Sequence, residues 1–193
     1  MDDRLALEGL DVSGSLPAGV QLAGADLTGC RFDGLTLVEG SLRGARLTEC
    51  RFERCELTLL DVTDATMHGV VFASCRLQAV DFGALARDPF GLSVRFERCD
   101  LSLATFRDLD LRQVAFDGGR AHEAIFVAVD LRGVAMRGLD LRGAEIRGCD
   151  LRDADLRGSS GFALSPCGNR VRGVRIDLAE AVGVLGAVGV RWD

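Results

Sequence analysis

"DLRGVAMRGLDLRGAEIRGCDLRDADLRG", residues 130–158, repeats every five residues. That period matches neither the α-helix, near 3.6, nor the strand, at 2. The apolar centres here are Leu131, Met136, Leu141, Ile146, Leu151 and Leu156, and the same step finds an apolar centre at every unit from Leu22 through Phe82 and again from Phe96 through Leu156. Only Ala121 is small among them. The residue two places before a centre is usually compact, as at Ala25, Cys30, Ala45, Cys50 and Ala154. Two inward positions per unit define a core. The polar residues flanking each centre point outward, as in a very short extended segment. The fifth residue is often Gly, which eases a tight turn. Each unit therefore forms one short side of a coil.

A second period sets the number of sides. Phe32, Phe52 and Phe72 recur at twenty residues, as do the pairs Phe96/Phe116 and Phe106/Phe126. Four sides per turn would stack each set directly. The units "ADLTG", "CRFDG", "ARLTE", "CDLRD" and "ADLRG" follow the A(D/N)LXX pattern, and the chain resembles the pentapeptide-repeat family over nearly its whole length. The resemblance implies an all-β fold: a right-handed, quadrilateral parallel β-helix with a short C-terminal helix. Residues 1–176 are expected to form the solenoid and residues 177–193 a C-terminal cap.

The offset from Phe82 to Phe96 is fourteen residues instead of ten or fifteen, which predicts a register break and a loop over residues 83–95. Asp88 and Pro89 are turn residues, and Phe90 is expected to be exposed. Such a loop serves either as a tolerated insertion or as a partner contact, the latter through Arg87 and Phe90. Before Leu22 the register holds Leu7 and Val12 and then meets Pro17, so an irregular first coil is expected. After "GFALSPCGN" it returns at Val171 and Ile176. Asp177, followed three residues later by Glu180, reads as a helix N-cap. Leu178, Ala181, Val182, Leu185 and Val188 follow helical spacing, and Trp192 sits in a final strand-like segment. These residues either cap the solenoid end or join two copies, and the two roles are compatible.

Little here points to catalysis. Six of the seven cysteines occupy the compact inward slot, with no CxxC pair, and read as buried free thiols; Cys167 alone is expected to be reachable. His68 and His122 take outward positions without a nucleophile or a second histidine at ligand spacing. No phosphate loop, metalloprotease, hydrolase or dinucleotide fingerprint occurs, so no catalytic residue, cofactor or metal is expected. A net charge of −6 argues against a nucleic-acid binder. No apolar run is long enough to span a membrane, and a cytoplasmic location is expected. Residues 1–95 carry 14 acids against 9 arginines, so the acidic surplus lies in the first half. Its outward members are Glu49, Glu53, Glu56, Asp61, Asp64 and Asp81, either a solvated face or a binding surface.

Among pentapeptide-repeat proteins the chain is most similar to the fluoroquinolone-resistance group, of MfpA and Qnr type. The similarity rests on the long repeat, the single mid-chain break and the ending "VRGVRIDLAEAVGVLGAVGVRW". It implies a homodimer joined through its C-terminal ends, mimicry of B-form DNA, and binding to DNA gyrase or topoisomerase IV with protection from quinolones or a natural poison. Seven or eight coils of roughly 4.8 Å give a rod of about 35–40 Å, and two in tandem approach twenty base pairs of duplex. The alternative is a structural or protein-interaction solenoid with no topoisomerase role.

Overall fold

The computed structural model describes residues 5–14, 16, 21–87, 91–187 and 189. Pro17, the loop residues Asp88, Pro89 and Phe90, Val188, Trp192 and the expected final strand (Gly189 apart) lie outside them. The chain winds as a four-sided parallel β-solenoid. On the first face Ala6–Glu8, Asp26–Thr28, Arg46–Thr48 and Thr66–His68 pair in parallel, with Leu7, Leu27, Leu47 and Met67 in register. After the mid-chain loop this face resumes as single bridges linking Asp110, Asp130, Asp150 and Arg170. The second face is a seven-stranded sheet that aligns Val12, Phe32, Phe52, Phe72, Phe96, Phe116 and Met136. Bridges through Asp155 and Arg175 carry the column on to Leu156 and Ile176. The third face is held by bridges such as Thr36 to Glu56 and Glu56 to Arg76. The fourth ends in the strands Thr105–Arg107, Ile125–Val127 and Glu145–Arg147. The eight steps of the second column make a rod of roughly 38 Å.

The core is the stack of centres and slots. Phe32, Phe52 and Phe72 lie 4.7 and 5.0 Å apart between ring centroids, nearly parallel at 14° and 20°. Phe82, Phe106 and Phe126 form a second stack on the fourth face, at 4.9 and 4.8 Å. The inward slot does more than fill space. The Cys50 thiol donates to the Leu27 carbonyl at 3.4 Å and that of Cys149 to Phe126 at 3.3 Å. The Ser159 hydroxyl and the Asn169 amide make the equivalent bonds to Met136 and Ile146, at 2.6 and 3.0 Å. A cysteine in the slot thus satisfies a core carbonyl that valine would leave to other partners. All seven cysteines are free, and only Cys167 is exposed. Burial pushes the Cys50 thiol up to about 11, so it remains a neutral donor.

Corners fall two residues after a centre and most are left-handed whether or not glycine occupies them, as at Gly29 (φ 62°) and Arg54 (φ 53°). Glycine is obligatory at slot residue Gly119, where φ is 93° and a Cβ would stand 2.1 Å from the Cys99 carbonyl oxygen.

The mid-chain break is narrower than residues 83–95. Phe82–Ala84 form a 3-10 turn whose cap, Asp81, accepts a hydrogen bond from the Gly83 N–H at 3.0 Å. Leu85 and Val94 are buried in the core. The coil is left after Ala86, whose N–H donates to Ala65, and rejoined at Ser93, whose N–H donates to Met67. One turn is long by four residues rather than short by one. Phe72 therefore stacks on Phe96 at 5.6 Å and the faces realign. Withdrawing Leu85 and Val94 into a loop would expose two apolar side chains, which burial opposes.

Helix α1, Leu178–Ala187, closes the C-terminal end. Its expected N-cap acts differently: the Asp177 carboxylate accepts from the Gly158 N–H at 2.6 Å and ties the helix start to the preceding coil. Val184 packs against the core and Ala181 is half-buried, whereas Leu178, Val182 and Leu185 are exposed, Leu178 at 85%. The helix thus has two apolar sides, of which one covers the solenoid end. Among the described residues no helix is long and apolar enough to cross a membrane.

Candidate protein-interaction surface

Each unit presents an outward residue on either side of its centre, and in several second-half units an aspartate and an arginine at these positions pair. The Asp110 carboxylate accepts from the Arg112 N–H at 3.1 Å and from its guanidinium at 2.9 and 2.5 Å. Asp130 with Arg132, Asp140 with Arg142, Asp150 with Arg152 and Asp155 with Arg157 repeat the arrangement. The guanidiniums hold the Asp140, Asp150 and Asp155 carboxyls well below the usual carboxylate range. These five units therefore form a ladder of internally neutralised pairs, whereas among the described second-half residues Asp108, Asp117, Glu123 and Asp153 are exposed and make no ion pair.

The first-half acids are not one patch. Asp61, Asp64 and Asp81 lie on the fourth face, Glu56 on the third, Glu53 on the second, and Glu49 at the corner between the first and second. A shift of one unit turns the chain through a right angle, so neighbours in sequence diverge in space. Glu53 is flanked by Arg51 and Arg54, the latter at 3.0 Å. Glu56 pairs with Arg76, and Asp61 with Arg43 at 3.0 Å. Among the described residues Glu49, Asp64 and Asp81 make no ion pair, and all three are exposed. Arg87 is exposed where the chain leaves the coil.

Two features were not singled out from sequence. Asp100 is buried on the third face, bonded by Ser102 at 2.6 Å, Gln78 at 2.7 Å and Arg120 at 3.0 Å. Burial alone would raise its pKa; the Ser102 and Gln78 hydrogen bonds outweigh it and hold the carboxyl below its ordinary range. The other is a pair of exposed leucines at corners, Leu59 and Leu103. His122 pairs with Asp140 at 2.9 Å. Among the described residues no group of three His, Cys, Asp or Glu side chains is placed to hold a metal ion.

Pentapeptide repeats match residues 18–54 and 124–160 in eight copies. No curated protein matches the chain in sequence. Among solved structures, trypsin-treated QnrB1, a plasmid-mediated fluoroquinolone resistance protein, superposes with a TM-score of 0.66 at 17% identity, covering 97% of this chain and 100% of that one. HetL, a pentapeptide repeat protein involved in heterocyst differentiation regulation from the cyanobacterium Nostoc sp. strain PCC 7120, gives 0.45 at 18% identity, with 89% and 87% covered. Residues 18–54 and 124–160 are thus pentapeptide repeats, and the same five-residue unit runs through the four stacked faces of the solenoid.

Proposed function

We propose that this protein is a DNA-mimicking rod that binds a type II topoisomerase, DNA gyrase or topoisomerase IV, and protects it from fluoroquinolones or a natural poison. The observation that carries the reading is the set of unpaired, exposed carboxylates on one face of the solenoid: Asp64 and Asp81, with Asp61 beside them. The acidic surplus of residues 1–95, 14 acids against 9 arginines, directs contact to the first half, where a positively charged groove built for phosphates meets the net negative charge. The likeness in fold to QnrB1, named for fluoroquinolone resistance, supports this reading along nearly the full chain. The exposed side of α1, Leu178, Val182 and Leu185, supports a tail-to-tail dimer with Val188 and Trp192 in the same interface. Two rods of roughly 38 Å then span about 22 base pairs of duplex.

A second reading, an interaction rod with no topoisomerase role, is favoured by the neutral Asp–Arg ladder, which a strong phosphate mimic would lack. Binding of purified gyrase to the wild type and to an Asp61→Arg, Asp64→Arg, Asp81→Arg variant separates them. The topoisomerase reading expects at least about tenfold weaker binding by the variant at unchanged thermal stability. Equal binding by the two folded proteins refutes the charge argument, and no binding by the wild type assigns the second reading.

A further inference from the structure

The corner between the third and fourth faces carries apolar side chains where the backbone least favours them. Leu59 (φ 57°) and Leu103 (φ 62°) are left-handed and are 49% and 53% exposed. Aspartate at a left-handed corner can bond locally and glycine has no Cβ to clash. A leucine there gains nothing from its own backbone and leaves its side chain in water. The outlier therefore points to a role outside the fold. The Leu59 N–H donates to Gln78 at 2.9 Å, that of Ala79 to Ser102 at 3.0 Å, and that of Leu103 to His122 at 2.8 Å. Residues 59, 79 and 103 therefore stack one coil apart, with the leucines separated by roughly 9.6 Å. Val38, 49% exposed next to corner residue Glu39, extends the line.

The surround is acidic. Asp61 and Asp81 stand two residues after Leu59 and Ala79, on the fourth face. Asp64 lies at the far corner of that face and Glu39 on the ridge itself. Against these carboxylates stand Arg43, paired to Asp61, and exposed Arg107 on the fourth face; on the third face Arg76 and Arg120 are matched by Glu56 and Asp100. We propose that this corner is a docking ridge for a protein helix that presents two apolar side chains two turns apart, flanked by lysine or arginine. Seven residues of helix advance about 10.5 Å, close to the leucine spacing, and basic side chains reach the carboxylates while their stems cover the ridge. Nucleic acid and anionic lipid are repelled by the same charges. Where the partner is the topoisomerase, the ridge rests on the reading above, and the test keeps the two apart.

The probe is a synthetic leucine–lysine helix with leucines spaced i, i+3 and i+7, its affinity read by fluorescence anisotropy. A Leu59→Gly, Leu103→Gly variant should bind it at least about tenfold more weakly. The same variant should melt no lower than the wild type, since glycine suits a left-handed corner. Unchanged peptide affinity in that folded variant overturns the ridge, whatever gyrase does, and so does equal binding of a leucine–glutamate helix. Lost peptide affinity with unchanged gyrase binding supports the ridge and assigns it a partner other than the topoisomerase.

Discussion

Replacing Phe52 by alanine removes an interior ring of the longest aromatic column, which runs from Phe32 to Phe116. Phe52 is fully buried, with Phe32 and Phe72 at 4.7 and 5.0 Å on either side. Burial of a phenylalanine side chain contributes about 1.5–3 kcal/mol, and each offset ring pair about 0.5–1.5 kcal/mol beyond area. The backbone ladder fixes the coil spacing, since Arg51 N–H donates to Cys30 and Val71 N–H to Cys50. The coils cannot close on the gap, so the loss should lie within the about 3–5 kcal/mol seen for large cavities. In a quasi-one-dimensional stack the damage also weakens coupling between neighbouring coils. Guanidinium melts give the magnitude, and hydrogen exchange should show lost protection in Arg31–Asp33 and Val70–Ala73 first. Phe52→Leu should cost less than about 1.5 kcal/mol. A loss below about 1 kcal/mol for Phe52→Ala, outside the range for such cavities, would refute the stacking argument.

Asp140, Asp150 and Asp155 have folded-state pKa values below their unfolded ones, so their contribution is complete above the unfolded value, about 3.9, and is lost as pH falls below it. Melting temperature should therefore decline steadily from pH 4 downward, and a flat profile to pH 2 would contradict the pairing. Deleting four residues between Arg87 and Ser93 should restore a twenty-residue turn and keep the Phe72–Phe96 stack; we expect it to reduce drug protection more than gyrase affinity, and full protection by the folded deletion would return the loop to a tolerated insertion. Leu185→Glu should convert a dimer into a monomer in light scattering, because a carboxylate in a dry interface is strongly unfavourable; a wild-type monomer at micromolar concentration, or an unchanged dimer in the variant, would refute the interface.

The columns of Phe32, Phe52 and Phe72 were legible because period and size agree: twenty residues close one turn, and a buried ring needs a ring above it. The bounds of the loop were not, since Leu85 and Val94 are apolar residues that counting by fives cannot place once the step fails. Asp110, Asp130 and Asp150 recur at twenty residues beside Arg112, Arg132 and Arg152, but their bidentate pairing within the unit depends on how a guanidinium folds back onto a carboxylate two residues away. Glu56 and Asp61 show the limit for the candidate surface. They are one unit apart and equally acidic, yet they face different directions and pair with different arginines, Arg76 and Arg43. Leu59 and Leu103 left a signal in the sequence, an apolar residue at the step where glycine is common, whose meaning needs the left-handed backbone to be seen.

The most direct test of the account is supercoiling by purified DNA gyrase in the presence of ciprofloxacin, with and without this protein. The account predicts that the wild type restores supercoiling against the drug and that the Asp61→Arg, Asp64→Arg, Asp81→Arg variant does not. Supercoiling unaffected by the wild type, both with and without ciprofloxacin, would contradict it.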